Sequence, residues 1–137
     1  MIYYNFETDF TLENQEEISK WIENSIKEEG YSFEEISYIF CNDAYLLEKN
    51  IQFLDHNTLT DIISFDYSVG KIISGDIFIS VERVKENATK FKVDFKDELH
   101  RVIIHGILHY CGYKDKTPQE KQEMRSKENY YLSLRKF

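Results

Sequence analysis

An α+β fold with a small mixed sheet is predicted by three features of this chain. Short alternating apolar runs mark about four strands, and helix-start signals precede longer runs with apolar residues at helical spacing. The resulting order, β α β α β β α α α, places two strands side by side in sequence and ends on three helices. Such an order packs helices mainly on one side of the sheet.

Residues Ile2 to Phe6 alternate and predict the first strand. Asn14, with Glu17 three positions on, reads as a helix cap. Ile18, Trp21, Ile22, Ser25 and Ile26 then follow at helical spacing, with Gly30 as the stop. Glu35 to Cys41 reads as the second strand, and Asn42 or Asp43 as the cap of a short helix from Ala44 to Lys49. Asp61 to Tyr67 and Ile72 to Ser80, joined by the turn Ser68 to Lys71, read as a hairpin. Ser80 caps a helix to about Lys92; Asp94, with Asp97 three later, caps another that runs to about Cys111. Thr117, Pro118 and Glu120 form a capping box with proline at the first helical position, opening a last helix towards Leu134.

The composition sets the class of protein. With 137 residues, 42% of them hydrophobic and 15% aromatic, the chain is long and apolar enough for one domain over residues 1–137 with a real core. The N-terminus lacks the basic and apolar regions of a secretory leader. No stretch approaches the ~18 apolar residues of a membrane span. Two cysteines far apart in sequence, Cys41 and Cys111, make a disulfide framework an unsuitable reading, and a cytoplasmic location is expected. The net charge of −8 opposes unspecific binding to nucleic acid or anionic membrane, and neither DNA nor membrane is expected as a partner. Lys90, Lys92, Lys96 and Arg101, then Lys114, Lys116, Lys121, Arg125 and Lys127, read as solvated helix faces interleaved with acids.

The chemistry is concentrated between His105 and Asp115. His105 and His109 stand four apart, so both imidazoles leave one face of a helix. Gly112 can end that helix in a left-handed turn, after which Asp115 can fold back. Two imidazoles and a carboxylate make three protein ligands, the number found around a catalytic zinc ion whose fourth position is left to water. The surrounding Val102, Ile103, Ile104, Ile107 and Leu108 imply a buried helix, and buried imidazoles need partners. His100 projects away from this face, Cys111 reads as a small core residue, and His56 lies in a polar loop.

The spacing His105-x3-His109-x2-Gly112-x2-Asp115 has the register of the metzincin zinc motif, which has a third histidine where Asp115 stands. Those proteases carry a glutamate general base directly after the first histidine; here Gly106 stands there, which disfavours a zincin-type metallopeptidase. Gly106 itself points to close backbone approach, room for a ligand, or chance. An anionic third ligand leaves the ion less positive and its water less acidic than three imidazoles would.

Three segments resemble the YbeY family of bacterial endoribonucleases and ribosomal RNA maturation factors: Thr60 to Phe65, Gly75 to Ser80, and Glu98 through Tyr113. The resemblance spans nearly the whole chain. It implies one zinc ion in a cleft beside the sheet and hydrolysis of single-stranded RNA, notably in maturing the 3′ end of 16S rRNA of the small ribosomal subunit. His105 and His109 match two of the family's metal ligands, and Asp115 occupies the place of the third, usually histidine. The family also tends to carry an arginine at the position of Leu54, which leaves the phosphate-binding cation to Lys71, Lys114 or another residue. The metal-bound water is then the expected nucleophile, with Asp61 and Ser64 as substrate contacts. The alternative is a ribosome-assembly factor that binds RNA around a mainly structural zinc.

Overall fold

In the computed structural model, which describes residues 1–56 and 58–137, strands β2 (Ser32–Cys41) and β4 (Ile72–Ser80) run parallel through the middle of a four-stranded sheet. Strand β1 (Ile2–Phe6) lies parallel to β2 on one edge, and β3 (Ile62–Asp66) lies antiparallel to β4 on the other. The expected hairpin therefore forms, and the sheet order is β1-β2-β4-β3. The helices are α1 (Gln15–Glu28), α2 (Asp43–Leu54), α3 (Val81–Phe91), α4 (Phe95–Tyr110) and α5 (Pro118–Ser133). Among the described residues no helix is long and apolar enough to cross a membrane.

Burial explains the layering. Ile36, Tyr38 and Phe40 of β2 and Ile73, Ile77 and Ile79 of β4 alternate inward and join one core with α1, α3, α4 and α5. Helix α2 covers part of the opposite face, where Leu46 packs with Cys41, Ile63, Phe65 and Phe78. The helices thus lie mainly on one side, with α2 the exception. Helix α2 buries only Leu46 and Asn50, whereas α4 buries ten residues.

Helix α4 is drawn onto the sheet by two glycines. A Cβ on Gly106 would sit 3.0 Å from Ile77 Cδ1 and 3.2 Å from Ile62 Cδ1, so close backbone approach is the reason for this residue. A Cβ on Gly75 would collide with Tyr110 and the Phe65 carbonyl; without it, the Tyr110 hydroxyl donates to Phe65 O at 2.9 Å. Farther along, the buried Tyr38 hydroxyl donates to Ile103 O at 2.9 Å. These ties hold the middle and the C-terminal end of α4 on the sheet.

The caps divide into those that form and those that do not. Thr117 and Glu120 make the reciprocal capping box, Ser80 Oγ accepts from Arg83 N at 3.2 Å, and Asn42 Oδ1 accepts from Tyr45 N at 2.8 Å. Asp43 is engaged elsewhere: Ser80 and Arg83 both donate to it. Asn14 does not cap α1. Its φ of 60° puts the residue in the left-handed region, and its side chain makes no cap bond. Asp94 likewise makes no side-chain cap bond. Two elements are longer than their sequence patterns, β2 from Ser32 and α2 to Leu54, since pairing and packing extend them past the apolar run.

Candidate metal centre and its cleft

His105 and His109 leave α4 one turn apart, with ring centroids separated by 4.5 Å. The chain then turns at Gly112, whose φ is +97°, and returns Asp115 to the same face. Asp115 Oδ2 lies 3.3 Å from His105 Nε2 and 3.4 Å from His109 Nε2. A tetrahedral zinc ion with bonds of ~2.0–2.1 Å has ligand-to-ligand edges of roughly 3.3–3.4 Å. The two Asp115 distances match such edges, and among the described residues this is the group of three that could hold a metal ion, its donor atoms all within 4.8 Å of one another.

The second ring nitrogens are both occupied. His109 Nδ1 is 2.9 Å from the Tyr113 carbonyl, and His105 Nδ1 is 2.6 Å from Glu128 Oε2 on α5. Each contact fixes the tautomer that leaves Nε2 bare towards Asp115. Tyr113 is held in turn: its hydroxyl donates to Glu29 Oε1 at 2.8 Å, and Tyr131 and Lys127 share the same carboxylate. Glu128 is only 4% exposed and also receives Arg101 Nη1 at 2.9 Å. Burial alone would raise the Glu128 pKa, but the bonds from His105 and Arg101 prevail and lower it. For His105, burial alone would lower the pKa; the Glu128 bond and charge, then Asp115 and Asp61, outweigh it and raise it.

Sequence reasoning missed Glu128. A signal was present, because Met124, Glu128 and Tyr131 form the buried stripe of α5 and an acid stands in the middle of it.

A cleft of about 440 Å³ opens over the three donors and is lined by Asp61, Ser64, Phe91, Arg101 and Arg125 among others. The structure thus brings Asp61 and Ser64 to the same cleft as the histidines. Burial raises the Asp61 pKa from its ordinary value, although the His105 charge and backbone donors offset part of the rise. Glu98, buried at the start of α4, is raised for the same first reason. Arg101 corrects the expectation of a solvated helix face, since it lines the cleft and is hydrogen-bonded to Glu128; Arg125 also lines the cleft but stays exposed, as expected. Leu54 is exposed at the end of α2 and, like Lys71 and Lys114, is not part of the cleft lining. Lys71 instead stands 5.0 Å from the centre of the Tyr31 ring.

The other candidates stay apart from the cluster. His100 is buried beside Trp21 and Phe137 and sits 2.7 Å from Arg135 Nη1; burial, then Arg135 and Lys96, push its pKa down to about 4. Burial pushes the Cys111 thiol up to about 12, and Cys111 is not among the three clustered donors. His56 is exposed.

Known proteins match this chain over almost its full length. The family described as "Endoribonuclease YbeY" matches residues 3–135. The chain belongs to the YbeY family. It is 54% identical over 134 residues to the endoribonuclease YbeY of Flavobacterium johnsoniae, covering 98% of this chain and 96% of that protein. Against the YbeY of Cytophaga hutchinsonii it is 52% identical over 138 residues, covering 100% and 96%. The solution structure of TM1509 from Thermotoga maritima shares the fold, with a TM-score of 0.68 and 27% identity over 97% of this chain and 87% of that one. Two of the three segments that resemble the family border the cleft: Thr60 to Phe65 supplies one wall and Glu98 to Tyr113 carries both histidines, while the third acts from behind, where Gly75 seats Tyr110 of the metal helix.

Proposed function

We propose that residues 1–137 form a single YbeY-like domain that acts as a zinc-dependent endoribonuclease on single-stranded RNA. Its place is the cytoplasm, in rRNA processing and ribosome biogenesis, with the 3′ end of 16S rRNA of the small subunit as substrate. The observation that carries this reading is the His105–His109–Asp115 cluster, whose three donors leave one tetrahedral position open towards a cleft. A structural zinc site would use four protein donors.

When bound there, zinc supplies Lewis-acid polarisation of a phosphoryl oxygen and acidifies a water. The protein's own residues set the conditions. Glu128 and the Tyr113 carbonyl hold the imidazoles in the tautomer that presents Nε2. Ser64 can donate a hydrogen bond to a phosphate oxygen in the cleft, and Asp61, with its raised pKa, can hold or release a proton closer to neutral pH than an ordinary carboxylate.

Peptide hydrolysis gains nothing from this structure. Position 106 faces Ile77 and Ile62 on the sheet, so a glutamate base there would meet the core before it reached the cleft. A second reading, an RNA-binding assembly factor with a mainly structural zinc and little cleavage, is favoured by Leu54 in place of an arginine and by acids in the cleft: Asp61, Glu98, Asp115 and Glu128 outnumber Arg101 and Arg125, which opposes a phosphate at the metal cluster itself. Incubating zinc-loaded protein and its His109→Ala variant with precursor 16S rRNA separates the two. Cleavage by the wild type and none by the variant is expected; equal cleavage by both removes metal catalysis, and binding without cleavage favours the second reading.

A further inference from the structure

Two groups line the cleft without touching the metal cluster's hydrogen-bond network. The first is Arg125. Arg101 already spends both terminal nitrogens, donating to Glu128 at 2.9 Å and to Asn129 Oδ1 at 2.8 Å. Arg125, one turn before Glu128 on α5, makes no hydrogen bond among the described residues. Its nearest acid contact is 3.9 Å, from Nε to Glu128 Oε1, and its side chain is 58% exposed. A guanidinium with open donors, at the rim of a cleft rich in carboxylates, is a fork suited to one oxyanion from solution.

The second is Phe91, the last residue of α3. Its ring lines the same cleft and is 53% exposed. No other aromatic ring among the described residues stacks on it, and Lys90 Nζ lies 5.9 Å from its centre. An open apolar face beside a cation costs hydration when alone and is relieved by a flat π-system laid over it. Helices α3 and α5 both pack on α4, so the ring and the guanidinium approach the metal cluster from two separate elements.

Anions alternating with flat faces are what a single nucleic-acid strand offers; in a duplex the faces are buried in the stack. We propose that Arg125 anchors a phosphate of the substrate strand while Phe91 stacks on one of its bases, a two-point grip that selects unpaired RNA. The grip rests on the ribonuclease reading, and it supplies the cation that Leu54 does not.

The test is binding of zinc-loaded full-length protein to a short labelled oligouridylate and to an abasic ribose-phosphate oligomer of equal length. Anisotropy is read across a salt series, and probe integrity is checked on a gel. Arg125→Ala should weaken both probes and reduce the slope of log affinity against log salt by about 0.7, one phosphate contact on a single strand. Arg125→Lys should restore the slope. Phe91→Ala should weaken the oligouridylate about tenfold while leaving the abasic oligomer unchanged, and Phe91→Trp should recover the loss. An unchanged salt slope in Arg125→Ala, equal losses for both probes in Phe91→Ala, or no binding by the wild type overturns the grip. Cleavage of precursor rRNA with unaltered binding in both variants defeats the grip and leaves the ribonuclease reading standing. The expected binding pattern without any cleavage does the reverse.

Discussion

His105 and His109 differ in what orients them. His109 is set by its own neighbourhood: the Tyr113 carbonyl is four residues on, and Gly112 turns the chain between them. His105 depends on Glu128, 23 residues away on another helix, whose carboxylate it shares with Arg101. One half of the proposed metal site is thus built by local backbone geometry and the other by the packing of α5 on α4. The local half is held at His109 by a turn and a neutral carbonyl contact, with charge entering one step farther out, where the Tyr113 hydroxyl donates to Glu29. The tertiary half is held by buried charge, where removing a partner costs more.

The largest effect should come from cutting the tertiary half at its outer end. Arg101→Met leaves the buried Glu128 carboxylate with His105 as its remaining close partner, and should cost about 3 kcal/mol of stability in urea unfolding of metal-free protein. That is the low end for a broken buried pair, because Arg101 is 21% exposed. A loss below about 1 kcal/mol would place the pair among ordinary surface contacts.

Next in size is the inner contact. Glu128→Gln should weaken zinc about 10- to 100-fold in competition with a chromophoric chelator. Gly112→Ala strains the turn of the local half by roughly 1–2 kcal/mol in Tm-derived stability, because alanine resists positive φ. If Gly112→Ala were the more damaging of the two to zinc affinity, the contrast between the halves would be reversed.

A smaller signal is the pH dependence of metal-free stability. The folded pKa of His105 is raised above 6.5, so its contribution is complete below that pH and fades as pH climbs through the raised value. The folded pKa of Glu128 is lowered below 4.5, so its contribution is complete above that pH and fades as pH falls through the lowered value. The pair therefore helps most between pH 4.5 and 6.5. The melting temperature should decline above that window, and Glu128→Gln should flatten the decline. The most modest effect belongs to Asp115→His, which makes the site more positive and should move the alkaline rise of the pH–rate profile to lower pH. An unmoved profile would show that the charge of residue 115 does not tune the reaction.

The same contrast explains what could be read from the sequence. The element order, the hairpin, the Thr117 capping box and the burial of Ile18, Trp21, Ile22, Ser25 and Ile26 all follow from local spacing. So does the convergence of His105, His109 and Asp115. Asn14 misled because a cap residue type does not impose cap geometry, and here the backbone enters α1 through the left-handed region. Arg101 resembled a solvated face because its strongest partner, Glu128, is 27 residues away on another helix and invisible to local spacing. Helix α2 gave no hint of the opposite face of the sheet, since which face a crossover covers is decided by the strand order.

The central claim is that His105, His109 and Asp115 hold one zinc ion with an open position. Zinc K-edge X-ray absorption of the loaded protein tests it directly. One zinc per chain is expected, with two imidazole nitrogens and oxygen donors at about 2.0–2.1 Å. A sulfur shell near 2.3 Å, or a spectrum left unchanged by His109→Ala, would contradict it.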